Sequence, residues 1–226
     1  MRLGALFSGG KDSCLAIHKA QAFHRVVCLI SLVPKSEESL LFHFPNVWVT
    51  KFQAEAMNLP IIQVETEIGE DRELASLIKA LKLAIKRFKI EGVITGAIRS
   101  TYQASRFQKI CDRLGLWCFN PLWLKSQEEL LREVIDSGFD TIISGVFAYP
   151  LDRSFLGRRL DANLLRELLD LWRKYGISIA GEGGEIETTV LDAPIFKKRI
   201  EVTDYEIYYK GDSGIFKIKY LRLVDK

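Results

Sequence analysis

The run Leu3-Gly4-Ala5-Leu6-Phe7-Ser8-Gly9-Gly10-Lys11-Asp12-Ser13 constrains this chain more than any other stretch of it. An apolar segment ends in Ser-Gly-Gly-Lys-Asp-Ser, and apolar residues at helical spacing follow at once: Cys14, Leu15, Ile17, Ala20 and Phe23. Strand, glycine turn and helix start in that order build an anion site. The glycines let backbone N–H groups approach a phosphate closely, and the new helix aims its positive end at the same point. Lys11 adds a full charge, while Ser8 and Ser13 add hydroxyl donors. The run is not a Walker A loop, whose Gly-x-x-x-x-Gly-Lys-Ser/Thr spacing is absent. Here Asp12 follows Lys11.

The rest of the first half repeats that alternation. Strands are predicted over Leu3–Phe7, Val26–Leu32, Ile61–Val64 and Gly92–Ala97, and helices over Lys11–Phe23, Asn46–Asn58 and Glu70–Lys89. In the last of these, Leu74, Leu77, Ile78, Leu81, Ile85 and Phe88 recur at three- and four-residue steps. Such alternation predicts an α/β fold, a Rossmann-like parallel sheet flanked by helices with right-handed crossovers. Ligands of these sheets bind at the carboxyl ends of the strands. The loops after Leu3–Phe7 and after Gly92–Ala97 should therefore share one rim. That puts Arg99, Ser100 and Tyr102 near a nucleotide; alternatively, Ser100 caps a helix running to Gly115 and Arg99 lies on the surface. The pattern changes near Pro121. Helices over Gln127–Ser137 and Asp161–Tyr175 and a strand over Thr141–Val146 precede short β-like runs from Arg199 to Val224, which predicts a smaller C-terminal α+β domain.

The chain's 226 residues suffice for one large domain or two small ones. A net charge of +3 does not argue for a nucleic-acid partner. No apolar run approaches the ~20 residues a membrane span needs, and the anion loop begins too early for a signal peptide, so a cytoplasmic location is expected. The four cysteines form no Cys-x-x-Cys pair, which speaks against a zinc site or redox couple. Cys111 and Cys118 read as two semi-buried thiols.

A second unusual segment is Gly181-Glu182-Gly183-Gly184-Glu185-Ile186-Glu187-Thr188-Thr189. Three close carboxylates gain from a cation, and glycines allow close backbone approach. The segment could hold Mg²⁺ or face a cationic substrate; the plain alternative is a solvated charged turn.

Ser-Gly-Gly-Lys-Asp-Ser resembles the PP-loop of the N-type ATP pyrophosphatases, which bind the β,γ-pyrophosphate of ATP and cleave between the α and β phosphates. Three segments together are similar to the diphthine–ammonia ligase family, in its compact archaeal form. They are Phe7 to Ser13; Gly96-Ala97-Ile98-Arg99-Ser100-Thr101-Tyr102-Gln103, continuing through Arg106 to Leu114-Gly115-Leu116 and Asn120-Pro121-Leu122-Trp123; and Gly181 to Thr188. The resemblance implies an adenine nucleotide alpha hydrolase-like fold, with residues 1–122 as the ATP-binding domain and 123–226 as the substrate-binding one. It implies ATP and Mg²⁺ as cofactors and, as partners, ammonium and diphthine-bearing translation elongation factor 2, with neither membrane nor stable nucleic-acid binding. A homodimer is allowed.

Carried onto this chain, the implied nucleotide contacts are Ser8, Gly9, Gly10, Lys11, Asp12, Ser13, Gly96, Arg99 and Ser100. The implied substrate contacts are Tyr102, Gln103, Glu182, Gly183, Gly184, Glu185, Glu187 and Thr188. Lys11, Asp12 and Glu185 take the catalytic roles, and Asp12 meets the metal. Diphthine carries a trimethylammonium group, which carboxylates and aromatic faces hold well. Glu182, Glu185 or Glu187 is expected around it, with Tyr102 or Trp123 beside them, unless Trp123 is simply core. Without an N-terminal cysteine or a glutaminase, free ammonia is the expected nitrogen source. The rivals are a PP-loop enzyme adenylating another substrate such as tRNA, and a nucleotide-binding protein without chemistry.

Overall fold

The structure, a computed structural model, describes residues 1–35, 46–67 and 69–226, leaving the side chains of Glu70 and Gln103 outside the description. The first half is a five-stranded parallel sheet in the order β3-β2-β1-β4-β5. Its strands are β1 (Arg2–Leu6), β2 (Arg25–Pro34), β3 (Ile61–Thr66), β4 (Gly92–Ile94) and β5 (Trp117–Phe119). The helices between them are α1 (Lys11–Gln21), α2 (Thr50–Met57), α3 (Glu70–Phe88) and α4 (Thr101–Leu114).

Strands buried on both faces read as continuous apolar runs, and both faces are covered. Leu15 and Ile17 of α1 and Ala54 and Met57 of α2 belong to one core cluster. Leu77, Leu81 and Ala84 of α3 and Ile110 and Cys111 of α4 belong to another. The order turns back between β1 and β4, and such a reversal opens a crevice at the carboxyl ends of the two strands.

The predicted elements shift at identifiable points. The helix expected from Asn46 begins as a short 3-10 turn over Val47–Val49, and Asn58 ends α2 in the left-handed region at φ 55°. The strand expected to reach Ala97 stops at Ile94. Beyond it Thr95 N–H bonds the Phe119 carbonyl at 3.0 Å and Thr95 Oγ1 takes the Ala97 N–H at 3.3 Å, which curls the backbone out of the ladder.

The second half holds helices α5 (Gln127–Asp136) and α6 (Ala162–Tyr175) against a four-stranded antiparallel sheet. Each helix is started by its own side-chain cap. Ser126 and Glu129 form a reciprocal capping box on α5, and Asp161 accepts the Asn163 and Leu164 N–H groups on α6. The strands are β6 (Asp140–Val146), β7 (Ile186–Asp192), β8 (Lys198–Lys210) and β9 (Ser213–Asp225), in the order β7-β6-β9-β8. Short β-like runs were expected here; β8 and β9 instead form one long hairpin. Two strands carry no clear period in the sequence. β5 is only three residues long, and β7 begins inside the acidic glycine segment, so Glu187 and Thr188 stand on a strand rather than in a loop. Among the described residues no helix is long and apolar enough to cross a membrane.

Candidate active site

A cavity of about 570 Å³ opens at the crevice between β1 and β4 and is closed from the other side by the second half of the chain. The first half contributes the segment after β1, the turn Thr95–Ala97, and an apolar wall of Ile30, Leu32, Leu77 and Phe107. The second half contributes Phe147, the stretch from Ala180 to Gly184, and Ile186, Glu187 and Thr188.

The anion loop is held from behind. Gly9 sits at φ +82°, and a Cβ there would run into Gln53 Oε1. Gln53, fully buried on α2, donates to the carbonyls of Gly9 at 2.9 Å and Val190 at 2.8 Å. The Val190 N–H on β7 also reaches the Gly9 carbonyl, at 3.0 Å. Inside the loop, Ser8 Oγ lies 3.2 Å from Ser13 Oγ, and Ser13 Oγ donates to the Gly10 carbonyl at 3.0 Å. Gly10 supplies no side-chain cap to α1; the Lys11 N–H is taken instead by Thr188 Oγ1 at 3.1 Å. The Lys11 side chain is buried, 2% exposed, and donates from Nζ to the Ala180 carbonyl at 2.6 Å and to Asp12 Oδ2 at 2.9 Å. Asp12 Oδ1 is shielded from solvent and without a partner. The loop of the first half is thus held by β7 and the turn before it.

The three glutamates of the acidic segment occupy different surroundings. Glu185 turns its carboxylate back onto its own loop, accepting the N–H groups of Ser178 at 3.2 Å and Gly183 at 3.0 Å, and it does not line the cavity. Glu182 stands at the mouth, and its Oε2 accepts the Arg99 N–H at 3.0 Å. Partial burial raises Glu182 above the usual carboxylate range, and the nearby Asp12 charge adds to this; the Arg99 hydrogen bond and the charges of Lys11 and Arg99 oppose it. Glu187 lies deeper. Burial pushes it up to about 8, against the pull of Lys11 and with a contribution from Asp12. No group of three or more His, Cys, Asp or Glu among the described residues is arranged to hold a metal ion.

Of the residues singled out from sequence, Ser8, Gly10, Lys11, Asp12, Ser13, Gly96, Glu182, Gly183, Gly184, Glu187 and Thr188 line one cavity. Gly9 stands just behind it in the clamp. Arg99, Ser100, Tyr102, Glu185 and Trp123 are outside the wall. Ser100 immediately precedes α4 and its carbonyl accepts the Ala104 N–H at 2.9 Å, the geometry of a helix start. Arg99 is exposed. Tyr102 is exposed on α4, with the Arg106 guanidinium 3.9 Å from its ring centre. Gln103 lies on α4, its side chain outside the description. Sequence reasoning did not reach Gln53, Thr95 or the apolar wall, since a buried glutamine and wall leucines carry no motif. Nor did it reach Phe147, which also lines the cavity. Cys111 and Cys118 are free thiols, the first buried and the second half-buried.

Known proteins are similar to this chain along its whole length. Residues 1–118 match the family model described as diphthamide synthase N-terminal domain, and residues 126–224 match the corresponding C-terminal domain. The chain is 36% identical to the diphthine–ammonia ligase of Homo sapiens, covering all of this chain and 91% of that protein. It is 39% identical to the Rattus norvegicus protein of the same name, over 99% of this chain and 91% of that protein. The Schizosaccharomyces pombe ligase is longer: 38% identity extends over 97% of this chain but 39% of that protein. A solved structure titled as a subunit of tRNA methyltransferase from Methanocaldococcus jannaschii overlaps 86% of this chain with a TM-score of 0.41 and 16% identity. With both halves matched and relatives similar along the whole length, the chain belongs to the diphthine–ammonia ligase family.

Proposed function

We propose that this protein is an ATP-dependent, AMP-forming ligase that converts diphthine on translation elongation factor 2 to diphthamide, with free ammonia as the nitrogen source. The observation that carries this reading is the shared cavity: the Ser8–Ser13 anion loop and the carboxylates of Glu182 and Glu187 line the same space. A carboxylate is a poor electrophile, and adenylation gives it a good leaving group. The leaving pyrophosphate needs a strong anion site, which Lys11 and the start of α1 supply. The apolar wall of Ile30, Leu32, Leu77 and Phe107 suits the adenine ring.

Asp12 is suited to Mg²⁺, because its Oδ1 has no other partner. One carboxylate fits the way Mg²⁺ binds, with the other positions taken by phosphate oxygens and water. When bound, the ion neutralises phosphate charge. Glu182 at the mouth suits the trimethylammonium group, with Phe147 as the aromatic residue that shares the cavity, whereas Tyr102 and Trp123 lie outside its wall. Lys11 binds the phosphates once it is drawn from the Ala180 carbonyl, and no residue serves as a covalent nucleophile. The reaction belongs in the cytoplasm with the elongation factor and calls for no stable contact with nucleic acid. A homodimer is compatible with it.

Nucleotide product analysis tests the reading. Purified protein is incubated with ATP, Mg²⁺ and ammonium, with and without elongation factor 2 bearing diphthine. AMP and pyrophosphate formed only with the modified factor, together with a new amide on its modified histidine, are expected. ADP as product overturns the PP-loop chemistry, and equal AMP formation with tRNA in place of the factor moves the substrate elsewhere.

A further inference from the structure

The nitrogen that attacks the acyl-adenylate must be neutral, yet at neutral pH almost all of it in solution is ammonium. A proton therefore has to leave inside a site built mainly to hold anions. We propose that Glu187 is the catalytic base that takes this proton, converting bound ammonium to the ammonia that attacks; the inference rests on the ligase reading above.

The geometry sets Glu187 apart from its neighbours. The Glu185 carboxylate is committed to two backbone N–H groups and that of Glu182 to the Arg99 N–H. Glu187 lines the cavity, half-buried, with no hydrogen-bond or ion-pair partner among the described residues. It is anchored one position before Thr188, whose hydroxyl holds the Lys11 N–H, so it stands on the same strand that closes the phosphate loop. Across the ladder Glu187 pairs with Gly145 of β6. A Cβ at Gly145 would fall 2.6 Å from the Phe147 ring and 3.1 Å from Glu187 Cβ, so the bare glycine lets the ring pack beside the half-buried glutamate and narrow its access to solvent.

The charged groups facing it are Lys11 and Asp12 from α1. Lys11 does not pair with it: its ammonium is held by the Ala180 carbonyl and Asp12 in the ligand-free protein and turns to the phosphates when nucleotide binds. Burial outweighs Lys11 and poises the acid near physiological pH, at about 8, where a base of this kind works best. Ammonium is a cation small enough to sit between Glu187 and the reacting carbonyl.

The step balances. An N–H bond of ammonium breaks, its electron pair stays on nitrogen, and the proton moves to a Glu187 oxygen. The nitrogen lone pair forms the C–N bond at the acyl carbon. The C–O bond to the adenylate breaks, and AMP leaves with that electron pair. The second surplus proton passes to the AMP phosphate or to water, and Glu187 returns its own to solvent when the site empties.

Hydroxylamine separates this role from every other. It is largely unprotonated at neutral pH, so it attacks an acyl-adenylate without a base and leaves a hydroxamate. Wild-type protein with diphthine-bearing elongation factor 2, ATP and Mg²⁺ should yield amide from ammonium and hydroxamate from hydroxylamine. Glu187→Gln should lower amide formation about 100-fold more than it lowers hydroxamate formation, with pyrophosphate exchange reporting separately any loss of adenylation. Glu187→Ala, which also removes the Gln amide, should show the same ratio. Equal loss of amide and hydroxamate in either variant, or full retention of amide, overturns the proposal. Wild-type protein that forms neither product overturns the ligase reading itself, a different failure from that of Glu187.

Discussion

Glu187 and Glu185 are two positions apart and physically unlike. Burial raises Glu187, so the folded chain holds a proton there that the unfolded chain releases between about pH 4.5 and about 8. The folded state binds more protons over that window, so this group's contribution to stability falls as pH rises through it. Glu187→Gln removes the fall. Thermal unfolding of the ligand-free protein at the two ends of the window should therefore differ less in the variant than in wild type, with each kcal/mol appearing as about 2–4 °C. An unchanged pH dependence would mean the carboxyl is better hydrated than its surroundings indicate. Glu185→Ala loses two hydrogen bonds to a carboxylate and should cost about 1–3 kcal/mol. Its functional effect should be a higher KM for the modified factor with ATP affinity nearly intact, since the Gly181–Gly184 turn is what it holds. Equal loss of both affinities would refute that division. The sequence shows three glutamates among glycines and cannot rank them, because the ranking depends on which backbone N–H groups the folded loop turns toward each carboxylate. The same limit applies to Arg99 and Tyr102, which lie close in sequence to a cavity-lining turn and outside its wall.

Elements carry the next level of the design. The strand, glycine turn and helix from Arg2 to Gln21 are legible because local chemistry makes them: an apolar run, paired glycines, then helical spacing. β7 is not legible, since its first half is Ile-Glu-Thr-Thr after two glycines, and only pairing with β6 makes it a strand. Yet β7 decides how well the loop is held, through Thr188 Oγ1 on the Lys11 N–H and through Val190, which shares the Gly9 carbonyl with Gln53. Gln53→Leu keeps the volume and removes both donations, leaving the buried Val190 carbonyl short of a donor. A loss of about 1–3 kcal/mol is expected, with a several-fold rise in the KM for ATP and no change in the preference for the modified factor. Unaltered ATP binding would show that the Val190 N–H alone fixes Gly9.

At the scale of the molecule, one core cluster runs from Leu3, Leu15 and Ile94 beside the first sheet to Leu131, Ile143 and Leu168 around the second. The predicted division at residue 122 separates the two sheets in sequence without separating their packing, because periodicity reports which face of an element is apolar and not what covers it. A fragment of residues 1–122 should accordingly lack a cooperative thermal transition and bind ATP poorly, and the full chain should unfold in one step by both near-UV dichroism and calorimetry. Two separated transitions would contradict this. The interlock also bears on ancestry. A loop whose hydroxyl support and backbone clamp come from residues 188 and 190 is not self-sufficient within the first half. Recombination that exchanged the second half for an unrelated one would strip the loop of both supports.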